Sequence, residues 1–281
     1  MKFKNDMFSI LISIYYKEKP EYFDACMKSI WDFQTLKPSE IIMVEDGSLT
    51  PELDQVIAQW QEKIGTALKI TKLAENVGTG KAKNIGLQQC SHEIICIVDT
   101  DDISVSDRFE KQMQCFEADG DLVILGGQIT EFVDDISSPS GMRVVPLDNQ
   151  ALRHYAKKQS PFNNMTISYR KSKILEVGGY QHHLWMEDYN LFLRVIAKGY
   201  KIQNLADVLV YARIDNGMHA RRKGFEYIRS EKQLLNLKKQ LKLQNSIHAN
   251  MLFLFRSLFR LMPSSLLGKI YNTFLRKKVQ K

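Results

Sequence analysis

The sequence lacks the features that mark secreted, zinc-binding and membrane-spanning proteins. Its four cysteines form no C-x-x-C pair and have no histidine at the spacing of a metal site, which indicates reduced thiols in a cytoplasmic protein. No run of ~18 uncharged apolar residues is present, so no spanning helix is expected. The apolar stretch from 7 to 16 has no small-residue cleavage site and leads directly into charged residues, which favours a buried strand over a signal peptide.

Two common phosphate-binding fingerprints are also missing. The segment 76–84 contains glycines and lysines, but it does not have the spacing G-x-x-x-x-G-K-[ST]. No G-x-G-x-x-G follows the first predicted strand. The sequence therefore supports neither a P-loop NTPase nor a dinucleotide-binding Rossmann protein.

Acidic residues are absent after Glu231. The whole chain carries 39 Lys and Arg against 32 Asp and Glu, a net charge of +7, and 11 of the basic residues lie between Lys232 and Lys281. The part before them therefore has 28 basic against 32 acidic residues, a net charge of −4. A nucleic-acid-binding protein normally carries its positive charge on the folded recognition surface, so this distribution disfavours a nucleic-acid partner.

Strongly apolar strands alternate with helical patterns in the first half of the chain. Strands are predicted at 8–16, 41–44, 68–73 and 94–98, with helices at 22–33, 51–64 and 81–89. This order predicts an α/β fold whose mixed, mainly parallel sheet has helices on both faces. In such sheets ligands bind beyond the carboxyl ends of the strands.

The second half predicts a mixed or antiparallel extension of the sheet. Strands are predicted at 122–128, 129–133, 142–145, 165–169 and 208–214, and helices from 104 and over 150–158, 172–177, 188–198, 225–243, 247–261 and 264–274. We expect a catalytic domain over 1–225 and a basic, amphipathic helical region over 226–281.

Carboxylates follow three of the predicted strands. Glu18 follows the first, Asp46 the second, and Asp99-Thr100-Asp101-Asp102 the fourth. Several carboxylates at one sheet edge repel unless a cation is present, and hard divalent cations take oxygen ligands from one or two carboxylates plus substrate phosphates. Alternatively, the aspartates cap a helix that begins at residue 104.

Two other segments carry candidate functional groups. The loop with Gly78 and Lys83 permits close backbone approach to a phosphate and supplies positive charge. Further along, Trp185 precedes Glu187 and Asp188, which is the arrangement of a general base beside a sugar-stacking aromatic. The alternative is that these acids only stabilise the start of a helix.

In their order, these motifs resemble a family 2 inverting glycosyltransferase with a GT-A fold. The motifs are V-E-D-G-S at 44–48, N-x-G-x-x-x-A-x-N-x-G-L at 76–87, V-D-T-D-D at 98–102, G-G-Y at 178–180 and E-D-Y-x-L-x-L-R at 187–194. The resemblance covers roughly residues 7 to 225. The segment 213–224 further resembles the amylovoran and O-antigen branch, which builds bacterial exopolysaccharide or lipopolysaccharide and often uses UDP-galactose.

The resemblance implies a role for each matching residue. Donor-binding residues would be Tyr15, Glu18, Asp46, Gly78, Lys83, Asn84, Asp99, Thr100, Arg221 and Arg222. Asp101, with Asp99, would hold Mn²⁺ or Mg²⁺, and His219 is either a further metal ligand or a surface histidine. Asp188 would be the catalytic base, and Trp185 and Glu187 would contact the acceptor.

The implied reaction is a single displacement that moves a hexose, with galactose as the best guess, from a UDP-sugar to an acceptor. An undecaprenyl-diphosphate-linked oligosaccharide or another polysaccharide acceptor would gain a β-linked sugar during O-antigen, capsule or exopolysaccharide synthesis. Two alternatives are a sugar-nucleotide pyrophosphorylase, which would have a basic glycine-rich loop after the first strand, and a non-catalytic sugar-nucleotide-binding partner, which would tolerate loss of Asp188.

The C-terminal region predicts one of two kinds of contact. Arg256 and Arg260 share a helix face among Phe and Leu residues, which is typical of a helix lying on an anionic membrane. The enzyme would then be peripheral to the inner face of the plasma membrane. The alternative is a helical hairpin packed on the catalytic domain or on a second subunit of a homodimer.

Overall fold

A computed structural model describes residues 7–214 and 224–261 of the chain. The strands are β1 Phe8–Ile14, β2 Glu40–Glu45, β3 Leu68–Lys72, β4 Ile94–Val98, β5 Ile103–Ser104, β6 Leu122–Phe132, β7 Gly141–Arg143, β8 Ser168–Arg170 and β9 Lys201–Arg213. The helices are α1 Pro20–Met27, α2 Pro51–Ile64, α3 Thr79–Gln89, α4 Arg108–Ala118, α5 Asn149–Tyr155, α6 Lys171–Glu176, α7 Glu187–Ala197, α8 Gly224–Gln240 and α9 Ser246–Leu261. A π-helical turn, Lys28–Asp32, continues α1.

All these strands belong to one sheet in the order β3-β2-β1-β4-β8-β6-β9-β5, with β7 paired to β6. The first four strands in sequence are parallel, whereas β8 is antiparallel to both of its neighbours and β6 is parallel to β9. The sheet is therefore mixed and mainly parallel in its first half, as the sequence predicts.

Alternate residues of β1 face two separate apolar cores. Ile10 and Ile12 belong to the cluster under α1, α2 and α4, and Leu11 belongs to the cluster under α3, α6, α7 and α8. All three side chains are fully buried, and burying such a side chain stabilises the fold by ~1.5–3 kcal/mol. Helices thus cover both faces, which explains why six of the seven residues of β1 are buried.

Several predicted elements differ from the structure. The segment 122–133 forms one long strand rather than two, because β6 pairs with β9 along most of its length. For the same reason the strand predicted at 208–214 begins earlier, at Lys201. Residues 103 and 104 pair with β9, so the helix expected at Ser104 starts instead at Arg108.

The C-terminal helices differ in how deeply they pack. Tyr227 and Leu234 of α8 are buried in the same core as α7, and α9 packs on α8. Helix α8 begins at Gly224 and shares the core of the body, so the division into a catalytic domain over 1–225 and a helical region over 226–281 stays a prediction. The helix predicted at 264–274 lies outside the described residues. Across 7–214 and 224–261, no helix has the length and apolar character needed to cross a membrane.

Candidate active site

An open cleft of about 980 Å³ lies at the carboxyl ends of β1, β2 and β4. The loop before α3, the start of α7 and the end of β9 complete its walls. The predicted site residues that line it are Tyr15, Glu18, Asp46, Gly78, Lys83, Asp99, Thr100, Asp101, Trp185, Glu187 and Asp188. Residues from five separate segments therefore meet at one site.

Asp46 organises the loop before α3. Its two carboxylate oxygens accept hydrogen bonds from the backbone N–H of Val77 at 2.7 Å and of Gly78 at 3.0 Å. Gly47 makes this approach possible, because it has a φ of +87° and a Cβ there would come within 2.9 Å of the Asn76 nitrogen. Asp46 therefore shapes the loop, and direct contact with a nucleotide stays a prediction.

A buried ion pair joins α3 to the end of β4. Lys83 Nζ lies 2.9 Å from Asp99 Oδ1, and the lysine side chain is only 3% exposed. Burial alone would lower the pKa of Lys83, but the charge of Asp99 and the neighbouring Tyr180 raise it. Asn164 Nδ2 lies 3.4 Å from the other carboxylate oxygen of Asp99. The lysine is therefore a permanent cation on the floor of the cleft.

The two aspartates that follow lie in a crowded acidic environment. Burial, Asp99 and Glu18 raise the pKa of Asp101 to about 7. Burial and Asp101 raise the pKa of Asp102, whose carboxylate accepts the backbone N–H of Arg213 at 2.8 Å. Since α4 begins only at Arg108 with no side-chain cap, the idea that these aspartates cap a helix is wrong.

Glu18 and Thr100 connect the first and fourth strand ends. The Thr100 hydroxyl donates a hydrogen bond to Glu18. Tyr15 remains 37% exposed beside them and makes an edge contact with Tyr16, with ring centroids 5.8 Å apart. An exposed ring beside a fixed carboxylate is suited to contact the base and ribose of a nucleotide.

The acidic residues fit a divalent cation shared with a bound diphosphate. Among the described residues, no group of three His, Cys, Asp or Glu side chains is arranged to hold a metal by itself. Asp101 and Asp99 are nevertheless close enough that repulsion raises the pKa of Asp101, and a cation would relieve that repulsion. Mg²⁺ in particular is commonly held by one or two carboxylates plus substrate phosphates.

Glu187 and Asp188 begin α7 and line the cleft next to the start of α3. Gly80 of α3 packs so closely there that a Cβ would lie 3.1 Å from the Glu187 Cβ. Burial and the charge of Asp188 raise the pKa of Glu187 to about 7. Burial also raises the pKa of Asp188, while the positive charge of Lys83 opposes that rise. Two carboxyl groups whose pKa values are raised by burial thus line this part of the cleft.

Comparison with known proteins identifies the family. The family model "Glycosyl transferase family 2" matches residues 9–182, which is more than half of the 281 residues. The chain belongs to glycosyl transferase family 2. It is 41% identical over 266 residues to the amylovoran biosynthesis glycosyltransferase AmsE of Erwinia amylovora, covering 95% of this chain and 98% of the relative.

A second relative supports this assignment, and a solved structure supports the fold. The glycosyltransferase is 33% identical over 275 residues to the UDP-Gal:alpha-D-GlcNAc-diphosphoundecaprenol beta-1,3-galactosyltransferase of Escherichia coli, covering 96% of this chain and 97% of the relative. A mannosyltransferase from Pyrobaculum calidifontis, solved with GDP-Man and Mn²⁺, has a TM-score of 0.65 at 16% identity, over 96% of this chain and 76% of that one. The predicted GT-A fold is confirmed.

Among the predicted site residues that the structure describes, Asn84 does not line the cleft. Its amide oxygen accepts the backbone N–H of Tyr180 at 3.0 Å. This bond ties α3 to the G-G-Y turn. Arg221, Arg222 and His219 fall outside the described residues, so their roles stay predictions.

Sequence reasoning assigned no role to Arg213, which lines the cleft. Its guanidinium lies 3.8 Å from the centre of the Tyr22 ring and 4.5 Å from that of Phe132. Its Nε donates to the backbone carbonyl of Asp101 at 3.2 Å. Arg213 therefore fixes the acidic turn against α1. Its position at the start of a basic segment was the available signal, but the pairing of β9 with β5 and β6 brings it to the cleft.

Proposed function

We propose that this glycosyltransferase moves a hexose, with galactose as the first candidate, from a UDP-sugar to a lipid-linked oligosaccharide or other polysaccharide acceptor, with inversion to a β-linkage. The names of the two relatives support this: one acts in amylovoran biosynthesis, and the other uses UDP-Gal and a diphosphoundecaprenol acceptor. The pathway would be bacterial O-antigen, capsule or exopolysaccharide synthesis.

One observation carries the proposal: two sets of carboxylates with different surroundings line the same cleft. We call Asp46, Lys83, Asp99 and Asp101 the donor side, and Trp185, Glu187 and Asp188 the acceptor side; all seven line the cleft. Lys83 influences the pKa values of both Glu187 and Asp188, which shows that the two sides are electrostatically close.

Asp188 is suited to deprotonate the acceptor hydroxyl. A general base works best when its pKa lies near the working pH, and burial raises that of Asp188 above the ordinary aspartate value. Trp185 is 40% exposed at the rim and offers an aromatic surface to the acceptor sugar. The deprotonated hydroxyl would attack the anomeric carbon from the face opposite the leaving UDP, which produces inversion.

The donor side would hold the nucleotide diphosphate. Asp101 and Asp99 would ligate Mn²⁺ or Mg²⁺, and the Mn²⁺ complex of the archaeal structural neighbour supports that choice. When bound, the cation would neutralise negative charge on the leaving diphosphate. The loop between Asn76 and Lys83 supplies backbone N–H groups at the start of α3, where an anion is favoured.

Neither alternative function gains support. The segment Tyr15–Pro20 after β1 contains no glycine, unlike the loop that a sugar-nucleotide pyrophosphorylase would have. A non-catalytic binder would not need two carboxylates with raised pKa values beside an exposed Trp185.

A panel of UDP-sugars tests the proposal. Each sugar nucleotide, with and without Mn²⁺, would be measured for protection against thermal unfolding and for transfer to an N-acetylglucosamine-diphospho-lipid acceptor. We expect UDP-galactose to raise the Tm and to give a β-linked product that NMR can identify. No stabilisation by any UDP-sugar would rule out the donor class, and an α-linked product would rule out inversion.

We further propose that α9 brings the enzyme to an anionic membrane surface. Ile247, Met251, Leu254 and Phe255 are each 59–69% exposed, and their spacing places them on one helix face. No acidic residue follows Glu231, whereas 11 basic residues do. Two copies meeting through this face would bring like charges together, so anionic lipid is the better occupant than a second subunit.

Vesicle flotation tests this second proposal. Met251→Glu with Phe255→Glu should abolish flotation with phosphatidylglycerol vesicles, while Ser246→Glu, at an exposed position on another face of α9, should weaken it only slightly. Binding to neutral vesicles should be weak for all variants. Equal flotation of the double variant, or a concentration-dependent dimer that the double variant dissolves, would contradict membrane docking.

A further inference from the structure

One helix from the C-terminal region holds the rim of the cleft in place. The rim segment, His182–Trp185, ends two residues before Glu187 and lines the cleft. Gln233 Nε2 of α8 donates a hydrogen bond to the carbonyl of His182 at 3.1 Å, and Ser230 Oγ donates one to the carbonyl of Leu184 at 2.6 Å. The Ser230 carbonyl in turn lies 2.9 Å from Nε2 of His183.

The aromatic residue of the rim segment is held by the same helix face. The Trp185 ring stacks on Tyr227 with centroids 5.6 Å apart and an interplanar angle of 24°. Tyr227, Ser230 and Gln233 are spaced by three residues, so they project from one side of α8. All four consecutive rim residues therefore contact this one helix face.

The backbone of Trp185 is strained, which indicates that these contacts determine its position. Its φ is +62°, a left-handed conformation that is unusual for a bulky side chain. Strained backbone persists only where surrounding contacts fix it, and it is concentrated at functional sites. Since Tyr227 is 7% exposed and Ser230 is 4% exposed, the contacts that fix Trp185 are themselves buried and rigid.

We infer that α8 is part of the acceptor site, with Tyr227 as the positioning residue that presents Trp185 as a stacking surface for the acceptor's pyranose ring. This inference rests on the proposed function and deepens it. A pyranose has an apolar C–H face that packs on aromatic rings, and its hydroxyls lie around the edge. Stacking on Trp185 would therefore direct a hydroxyl toward Asp188, which is three residues further along the chain.

The acceptor site would then depend on α8, a helix that the composition alone assigns to the basic C-terminal region. Tyr227 does not line the cleft, so its effect on an acceptor must pass through Trp185. The proposed donor residues that the structure describes lie elsewhere, in the segments after β1, β2 and β4, directly before α3, and on α3 itself. Loss of Tyr227 should consequently affect acceptor binding and spare donor binding.

Three variants test the inference in the full-length enzyme. Tyr227→Leu removes the stacked ring, Tyr227→Phe keeps it, and Tyr200→Leu is a control at a tyrosine remote from the cleft. We expect Tyr227→Leu to raise the acceptor KM about tenfold, which corresponds to ~1.4 kcal/mol, with an unchanged KM for the UDP-sugar and unchanged donor hydrolysis. Tyr227→Phe should restore the acceptor KM, and Tyr200→Leu should not change it.

Limited chymotrypsin digestion tests the positioning without any substrate. If Tyr227 holds the rim, Tyr227→Leu should be cleaved faster after Leu184 or Trp185 than the wild type, Tyr227→Phe and Tyr200→Leu. Unchanged cleavage would overturn the inference whatever the activity shows. Faster cleavage with equal changes in donor and acceptor KM would also overturn it, because the helix would then support the fold in general. Absence of transfer by the wild type would instead count against the proposed function.

Discussion

On the donor side of the cleft, Lys83, Asp99 and Asp46 are matched by opposite charge or by backbone donors. Lys83 pairs with Asp99 at 2.9 Å, and Asp46 accepts two backbone N–H groups. Asp101 differs, because burial, Asp99 and Glu18 raise its pKa to about 7. On the acceptor side, burial raises the pKa of both Glu187 and Asp188. The donor side therefore holds three charged groups in a fixed geometry and leaves one carboxyl group for a cation, whereas the acceptor side is suited to accept a proton.

The largest expected effect is on the acceptor side. Asp188→Asn should lower kcat by about a thousandfold or more, because removal of a general base typically costs 10²–10⁴ in rate. The Kd for UDP-sugar, measured by calorimetry, should change little, since donor binding depends on the other side. Asp207→Asn, at an exposed position on β9, is the control. Unimpaired turnover would exclude Asp188 as the base.

A substitution on the donor side should weaken binding of the UDP-sugar, which Asp188→Asn should not do. Asp101→Asn should lower turnover by about a hundredfold through weaker binding of the cation and diphosphate, and UDP-sugar with Mn²⁺ should no longer raise the Tm. Chelation with EDTA should reproduce the loss in the wild type, and added Mn²⁺ should reverse it. Full activity in EDTA would show that Asp101 has no metal role.

The donor-side ion pair should matter for stability as well as for binding. Lys83→Met leaves Asp99 without its partner, and breaking a buried pair is strongly destabilising. Because Asp99 is 30% exposed, we expect a loss of about 1–3 kcal/mol in the free energy of unfolding. Lys63→Met breaks the more exposed pair with Asp32 and should cost less than ~1 kcal/mol. Equal losses in urea titrations would contradict the difference in burial.

The smallest expected effect is on the pH profile. A base must be deprotonated to act, so activity should fall as the pH decreases through the raised pKa of Asp188. Burial and the charge of Asp188 raise the pKa of Glu187 to about 7, so Glu187 is largely uncharged where Asp188 titrates, and Glu187→Gln should leave this acid limb nearly unchanged. Measured kcat between pH 5 and 9 would show the position of the limb in both enzymes. A shift of about one pH unit or more would contradict this assignment of the two pKa values.

Sequence motifs identified many of the residues that line the site because parallel strands end at one edge. Asp46 and Asp99 each follow an apolar strand, so their meeting follows from topology alone. Arg213 and Asn164 could not be found in this way. They come from β9 and from the turn before β8, and their approach to Asp101 and Asp99 depends on pairing in the mixed part of the sheet.

The sequence by itself determined the alternation of strands and helices, the acidic strand ends and the concentration of positive charge after Glu231, because these depend on local pattern and composition. Only the tertiary structure decided which C-terminal helix belongs to the site. Both α8 and α9 have helical periodicity and fall in the basic C-terminal part of the sequence. Packing alone places Tyr227 under Trp185 while leaving Phe255 at the surface, since burial depends on neighbours that are distant in the chain.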